Sequence, residues 1–289
     1  MPQEGKSVVA KEPAKDDSTG GFSPLNPQKT VLIDTQGKRV LLKAKVVLRE
    51  GLLEMLCCLK HSKEHESILS LDAKAYVVHA GLLAVGAEPG KPVQFQPTFQ
   101  PPTGQKIDIY LQWADEKGKL HRVPAKEWVR HAVRRYYGQP LESKPADLEI
   151  PKDSELHYDA KHKELAWFGQ MTAEQKDTLL ALSEDAAYRA AIQAFYDRSQ
   201  PRPMDADWVF AGSGFYVDED GERMYQAEGG DLICVANFPT ATIDVSIESS
   251  ASGEQNLSFE PVTERIPPVD TEVTIELIPV LETPKDEAK

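Results

Sequence analysis

Gly51-Leu-Leu-Glu-Met-Leu-Cys-Cys-Leu-Lys-His-Ser-Lys-Glu-His-Glu-Ser-Ile-Leu-Ser-Leu-Asp72, continued by Ala73 to Gly90, sets the reading of the whole chain. It holds an apolar run, a charged turn, a second apolar run and a helix, with almost no filler. Met55 to Leu59 is apolar on both alternating faces, as a strand buried on both sides would be, although Leu52, Leu56 and Leu59 also fit a helix. The polar stretch Lys60 to His65 and the short run Ile68 to Leu71 favour two strands joined as a hairpin. Asp72 then reads as an N-cap. Tyr76, Ala80, Leu83 and Ala87 share one helical face, and Gly86 with Pro89 ends the helix, so the spacing predicts a helix over 73–86.

Outward from this stretch, Thr30 to Asp34 and Arg39 to Leu48 form a hairpin signature around Gly37. Ile107, Ile109, Leu111 and Trp113 alternate as the inward face of a strand. Pro124 is placed to start a helix over 124–137 with Trp128, Val129, Ala132 and Val133 as its stripe. Beyond Gly138 the composition becomes linker-like, and two helices follow, one from Met171 to Leu182 with Thr172 as its cap, the other from Ala186 to Tyr196. The last third is strand and turn. The whole reads as an α+β fold: a mixed or antiparallel sheet with a packed helix, an inserted helical arm and flexible tails.

The segments Gly51-Leu-Leu-Glu54, Lys63-Glu-His-Glu-Ser67, Val78-His-Ala-Gly-Leu-Leu-Ala-Val-Gly-Ala-Glu-Pro-Gly90, Trp208-Val-Phe-Ala-Gly-Ser-Gly-Phe215 and Glu228-Gly-Gly-Asp-Leu-Ile-Cys-Val-Ala-Asn-Phe-Pro239 resemble the YdjY-type domain family, in particular its longer planctomycete-type members. The resemblance spans about 28–137 and 205–280 and brings no catalytic residues with it. It implies a domain built from two segments, 28–137 and 205–281, around a helical insertion at 138–204. Polar tails are expected at 1–27 and 282–289.

Composition narrows the function. A formal net charge of −13 argues against a nucleic-acid partner, because a phosphate backbone is held by neutralising it. No stretch approaches the ~20 apolar residues that a membrane span needs. The chain reads as cytoplasmic; a cell-envelope location is the alternative if an export signal lies outside it.

Four constellations could carry chemistry. His61-Ser-Lys-Glu-His65 matches the H-x-x-E-H zinc motif, with His61 and His65 as ligands and Glu64 as catalytic base, but that motif works only on a helix. A third ligand would be needed, and Glu127 is the nominee. His65, Glu66 and His79 are a second metal set, although a helix lying back over its own strand would put His79 above Leu69, far from His65. Arg130, Arg134 and Arg135 form a basic face suited to an anion or an acidic partner. Cys57 or Cys58 would support redox chemistry if accessible and of low pKa, whereas burial makes all three cysteines plain apolar residues. Gly212-Ser213-Gly214 is not a nucleophile elbow, and Glu228 to Asp231 reads as a turn. These residues favour a non-catalytic binding or scaffold protein with no cofactor and a protein or small-molecule partner. A zinc hydrolase is the alternative.

Overall fold

The computed structural model describes residues 21–250 and 257–281. Of the leading tail expected at 1–27, residues 1–20 lie outside the described residues, as does the tail expected at 282–289. Residues 23–26 are built into the fold rather than a tail: β1 (Ser23–Pro24) pairs with β2 (Val31–Asp34), and Asn26 is buried, its Oδ1 accepting the Thr30 and Val31 amides. β2 and β3 (Arg39–Val46) form the expected hairpin. A Cβ at Gly37 would lie 2.4 Å from the Asp34 carboxylate and would displace it from the Gly37 amide that it accepts at 2.7 Å.

β4 (Met55–Leu59) and β5 (Ser67–Leu71) are wholly buried strands, but they are not a hairpin. They pair in parallel, with Met55 opposite Ser67 and Leu59 opposite Leu71. The connection 60–66 runs back along β4 through His61 at φ +64° and a 3₁₀ turn, Glu64–Glu66, shorter than the dozen or more residues usual for a parallel crossover. Burial on both faces is what a parallel strand requires, so the apolar run was compatible with either pairing.

α1 (Ala75–Ala84) starts two residues later than the spacing predicts. Asp72 does not cap it and instead receives Lys60 Nζ at 2.8 Å. The buried face is Ala75, Val78, Gly81 and Leu82, while Tyr76 and Leu83 stand about half exposed. Because nearly every position is apolar, periodicity leaves the face open. Close approach decides it: a Cβ at Gly81 would lie 3.0 Å from Leu25 and 3.4 Å from Val40. The helix therefore lies on β3 rather than back over β5.

β6 (Lys106–Ala114) buries Ile107, Ile109 and Leu111 as its alternation predicts, and β7 (Leu120–Pro124) pairs back on it. The helix expected over 124–137 is absent. A 3₁₀ turn, Ala125–Trp128, leads into β8 (Val129–His131), and β9 (Tyr136–Pro140) follows. Trp128, Val129, Ala132 and Val133 are buried as expected, but β8 takes a remote strand as partner, and that pairing overrides the helical pattern.

The stretch after β9 contains α2 (Ala173–Leu180), with a complete Thr172–Gln175 capping box, and α3 (Ala186–Arg198), capped by Asp185. It also contains β10 (Leu156–Asp159) and β11 (Glu164–Phe168), which the sequence did not announce. β10, β11 and β9 form a separate antiparallel sheet. Tyr188, Ile192 and Phe195 from α3 pack with Leu156, Leu165 and Trp167 into a second hydrophobic cluster, so this small unit has its own core.

The remaining strands are β12 (Trp208–Val209), β13 (Phe215–Val217), β14 (Arg223–Tyr225), β15 (Ile233–Cys234), β16 (Asp244–Val245), β17 (Phe259–Pro261) and β18 (Glu272–Pro279). The main sheet runs β15-β4-β5-β3-β18-β6-β12-β16. A bridge between Ile233 and Ile243 brings its two ends together, so the sheet is nearly closed. The fold is broadly α+β and mostly β.

Candidate functional site

Three of the quoted segments meet at one end of the main sheet. Parallel pairing of β4 and β5 puts Glu54 and Glu66, which precede them, side by side, and β15 brings Asp231 to the same edge. Lys63, on the return between the two strands, reaches all three: Nζ lies 3.1 Å from Asp231 Oδ1, 3.3 Å from Glu54 Oε2 and 3.6 Å from Glu66 Oε1, and 4.1 Å above the Phe238 ring. Burial pulls the Lys63 amine down, but Asp231 and then Glu54 outweigh it and the net shift is upward. Glu54 is pushed up by burial and by the neighbouring Glu66 carboxyl, with Lys63 opposing. A lysine so held is a fixed cation, which ties three strand starts together and offers no free amine for nucleophilic work.

Asp244 lies beside this cluster, fully buried. Burial pushes its carboxyl from an ordinary 3.8 up to about 7, although the Val245 amide, the Asn237 side chain and the Phe238 amide all donate to it. The folded protein therefore holds this proton where the unfolded chain has lost it. The stability it contributes is fully present below pH ~4 and is lost as pH rises through ~7, by up to ~4 kcal/mol. Asp244→Asn should flatten the dependence of the urea midpoint on pH between 4 and 7; an unchanged slope would remove Asp244 as its source.

The zinc-motif residues are scattered over the same return. His61 and His65 are exposed, on a turn and a 3₁₀ segment rather than an α-helix. Glu64 Oε1 accepts the His61 amide at 3.1 Å and the Ser70 hydroxyl at 2.9 Å, so it caps its own turn. Glu66 belongs to the Lys63 cluster, and Glu127 lies 3.7 Å from Arg265 on another surface. His79 sits under β12 and β14, edge-on to Phe210, with Nδ1 3.0 Å from the Tyr225 hydroxyl. Among the described residues, no three His, Cys, Asp or Glu side chains are disposed to hold a metal ion.

Ser213 donates to the Thr240 carbonyl at 2.7 Å, and Gly229–Gly230 ends a 3₁₀ turn. Cys57, Cys58 and Cys234 are buried free thiols, pushed up chiefly by burial, so the condition set for redox chemistry is not met.

The three arginines of the expected basic face go separate ways. Arg130 is committed to Glu260: Nε donates to Oε1 at 2.8 Å, while Oε2 takes the Val133 amide at 3.2 Å and the Arg134 amide at 3.4 Å. Arg134 is exposed. Arg135 enters a cavity of about 250 Å³ where the small unit meets the main body. From the small unit come Tyr137 and Arg198; His131 and Ser258 come from β8 and from the residue before β17; Arg202 lies on the connection back. Among the described residues, no carboxylate lines this cavity.

Arg135 Cζ lies 5.3 Å from the centroid of the Tyr137 ring and Arg198 Cζ 5.8 Å. Burial raises the Tyr137 phenol, and the positive charges of Arg135, Arg198 and Arg202 oppose that rise. His131 is held through Nε2 by Asp205 at 3.2 Å, and its Nδ1 is buried with no hydrogen-bond partner. The Ser258 hydroxyl is likewise unpaired, on a residue only 2% exposed.

Sequence reasoning found Arg135 and missed Arg198, Arg202, His131 and Ser258. Arg198 stands at a helix C-terminus, where a basic residue is ordinary, and Arg202 between Pro201 and Pro203, so neither stands out locally. The available signal was the recurrence of basic residues at 130–135 and 198–202 in an acidic chain.

The architecture is that of a β-dominated α+β domain carrying a second, smaller sheet. The chain belongs to the YdjY domain family, whose model matches residues 31–140 and 178–277. All the cavity residues named above fall within those matched segments. Neither a curated protein nor a solved structure matches the chain. Among the described residues, no helix is long and apolar enough to cross a membrane.

Proposed function

We propose that this chain is a ligand-binding module that performs no chemistry of its own, and that the cavity between the main body and the small unit is its binding place. One observation carries this reading: two buried polar atoms without a partner, His131 Nδ1 and Ser258 Oγ, belong to residues lining one cavity, whereas Trp128 Nε1 and Glu228 Oε2 stand singly elsewhere. Lys63 is satisfied by its carboxylates and Glu64 by its own turn. In the cavity a buried hydroxyl and a buried ring nitrogen have no partner, and a hydroxyl left so costs ~1–3 kcal/mol. Sites of this kind recur where two packed units meet, and ~300–1,000 Å³ is usual for drug-sized ligands, so about 250 Å³ suits something smaller.

The test is a thermal-shift screen of the full chain against small neutral and anionic compounds, repeated with Ser258→Leu, which fills the cavity. A ligand present at 100 times its Kd adds ~2.7 kcal/mol, which is ~5 °C or more for a chain of this size. Hits on the wild type that vanish in Ser258→Leu support the proposal. The variant's own baseline is read without ligand, since overpacking alone costs ~1–3 kcal/mol. Hits that persist in Ser258→Leu, or no hit of any charge, would overturn it.

A further inference from the structure

Resting on that reading of the cavity, we infer that its ligand is a small oxyanion, a phosphate or carboxylate group, taken up between the guanidinium groups of Arg135, Arg198 and Arg202 with the Ser258 hydroxyl as a buried donor. Arg198 and Arg202 stand with Arg135 near one tyrosine ring; among the described residues no carboxylate lines the cavity, and Glu260, whose charge also reaches Tyr137, is paired with Arg130. General basicity does not explain the gathering, because the chain carries −13 overall. Arg130 shows the alternative within the same region: it has its own buried partner in Glu260, whereas neither Arg198 nor Arg202 has an ion pair among the described residues.

Guanidinium forks match the paired oxygens of a phosphate or carboxylate and bind them through charge-assisted hydrogen bonds. The unpaired Ser258 hydroxyl, 2% exposed, adds a donor that water reaches poorly and that an oxyanion in the cavity would satisfy. His131, fixed through Nε2 by Asp205, forms part of the wall, and its Nδ1 is buried without a partner. The cavity thus draws on both units: Arg198 from the end of α3, Ser258 and His131 from the main body.

The experiment is calorimetric titration of the full chain, at low ionic strength, with inorganic phosphate, sulfate and succinate in separate runs. At least one should bind saturably at a single site, and the preferred ion separates a phosphate-like from a carboxylate ligand. Arg198→Gln combined with Arg202→Gln should weaken it ~10–100-fold, from the loss of charge-assisted hydrogen bonds. The lysine pair Arg198→Lys with Arg202→Lys should recover part of the affinity, Ser258→Ala should weaken binding by a smaller factor, and Arg134→Gln, outside the cavity, should leave it unchanged. No binding of any of the three ions in the millimolar range would overturn the inference, as would equal binding by wild type and the glutamine pair, which marks an adventitious ion only. Neutral hits lost in Ser258→Leu, together with no anion binding, would overturn the oxyanion and leave the binding-module reading standing.

Discussion

Glu276→Ala should lower the unfolding free energy by ~3 kcal/mol, the low end for removing one partner from a buried ion pair, because the arginines it leaves behind are partly exposed. Glu276 lies on β18, the strand between β3 and β6 at the middle of the main sheet, and is 1% exposed. Its carboxylate binds Arg39 from β3 at 2.5 Å, Arg122 from β7 at 2.7 Å and Gln112 from β6 at 3.1 Å. One side chain thereby joins four strands. Burial pushes the Glu276 carboxyl up, but Arg122 and Arg39 outweigh it and hold it below its ordinary value.

The sign is opposite to that of Asp244. A depressed folded pKa gives stability that is present above the unfolded value of 4.5 and lost as pH falls through the folded one. Glu276→Leu should cost less than the alanine, because it refills the volume and because Arg39 and Arg122, 34% and 46% exposed, can turn to water. Urea denaturation at pH 7 decides the matter: an alanine variant within 1 kcal/mol of wild type would contradict this role.

Lys63→Ala should produce the second large loss, ~3 kcal/mol at pH 7, the low end of the buried-pair range because the groups are partly exposed. Glu54, Glu66 and Asp231 would then face one another without a cation. Like-charge crowding makes the loss depend on pH: it should shrink as pH falls and the carboxylates take up protons. A double variant, Lys63→Met with Glu54→Gln, should regain part of the stability lost by Lys63→Met alone, since it removes one of the opposed charges. Equilibrium unfolding at pH 7 and pH 5 measures both effects. A small loss, equal at both values, would mean that Lys63 is merely a solvated surface group.

Much of this fold was legible because a face or a cap fixes it locally. The alternation of Ile107, Ile109 and Leu111 placed β6, and Thr172 with the stripe Tyr188, Ile192 and Phe195 placed α2 and α3. What was misread depends on partners distant in the sequence. Met55 to Leu59 is apolar on both faces, so nothing in it separates parallel from antiparallel pairing. Val129 to His131 becomes a strand because Phe259–Pro261 pairs with it, from about 130 residues away. The face of α1 was set by Gly81 against Val40, a contact that periodicity does not encode in a helix apolar nearly all round.

The candidate site was less legible than the fold, for the same reason. Its cations come from positions 135, 198 and 202 and its buried hydroxyl from position 258, so no short motif spans them. The motif that was visible, His61 to His65, owed its appearance to spacing alone. On a turn, that spacing does not bring the two imidazoles onto one face.

The most direct measurement is nuclear magnetic resonance of the full chain with ¹⁵N-labelled arginine side chains, titrated with inorganic phosphate, sulfate and succinate, and with zinc as a separate arm. The account predicts that the Nε–H signals of Arg135, Arg198 and Arg202 move together and saturate with one of the three anions, while those of Arg39 and Arg122, locked on Glu276, stay in place. Arginine signals that remain still with all three anions, alongside stoichiometric zinc uptake abolished by His61→Ala and His65→Ala, would contradict it.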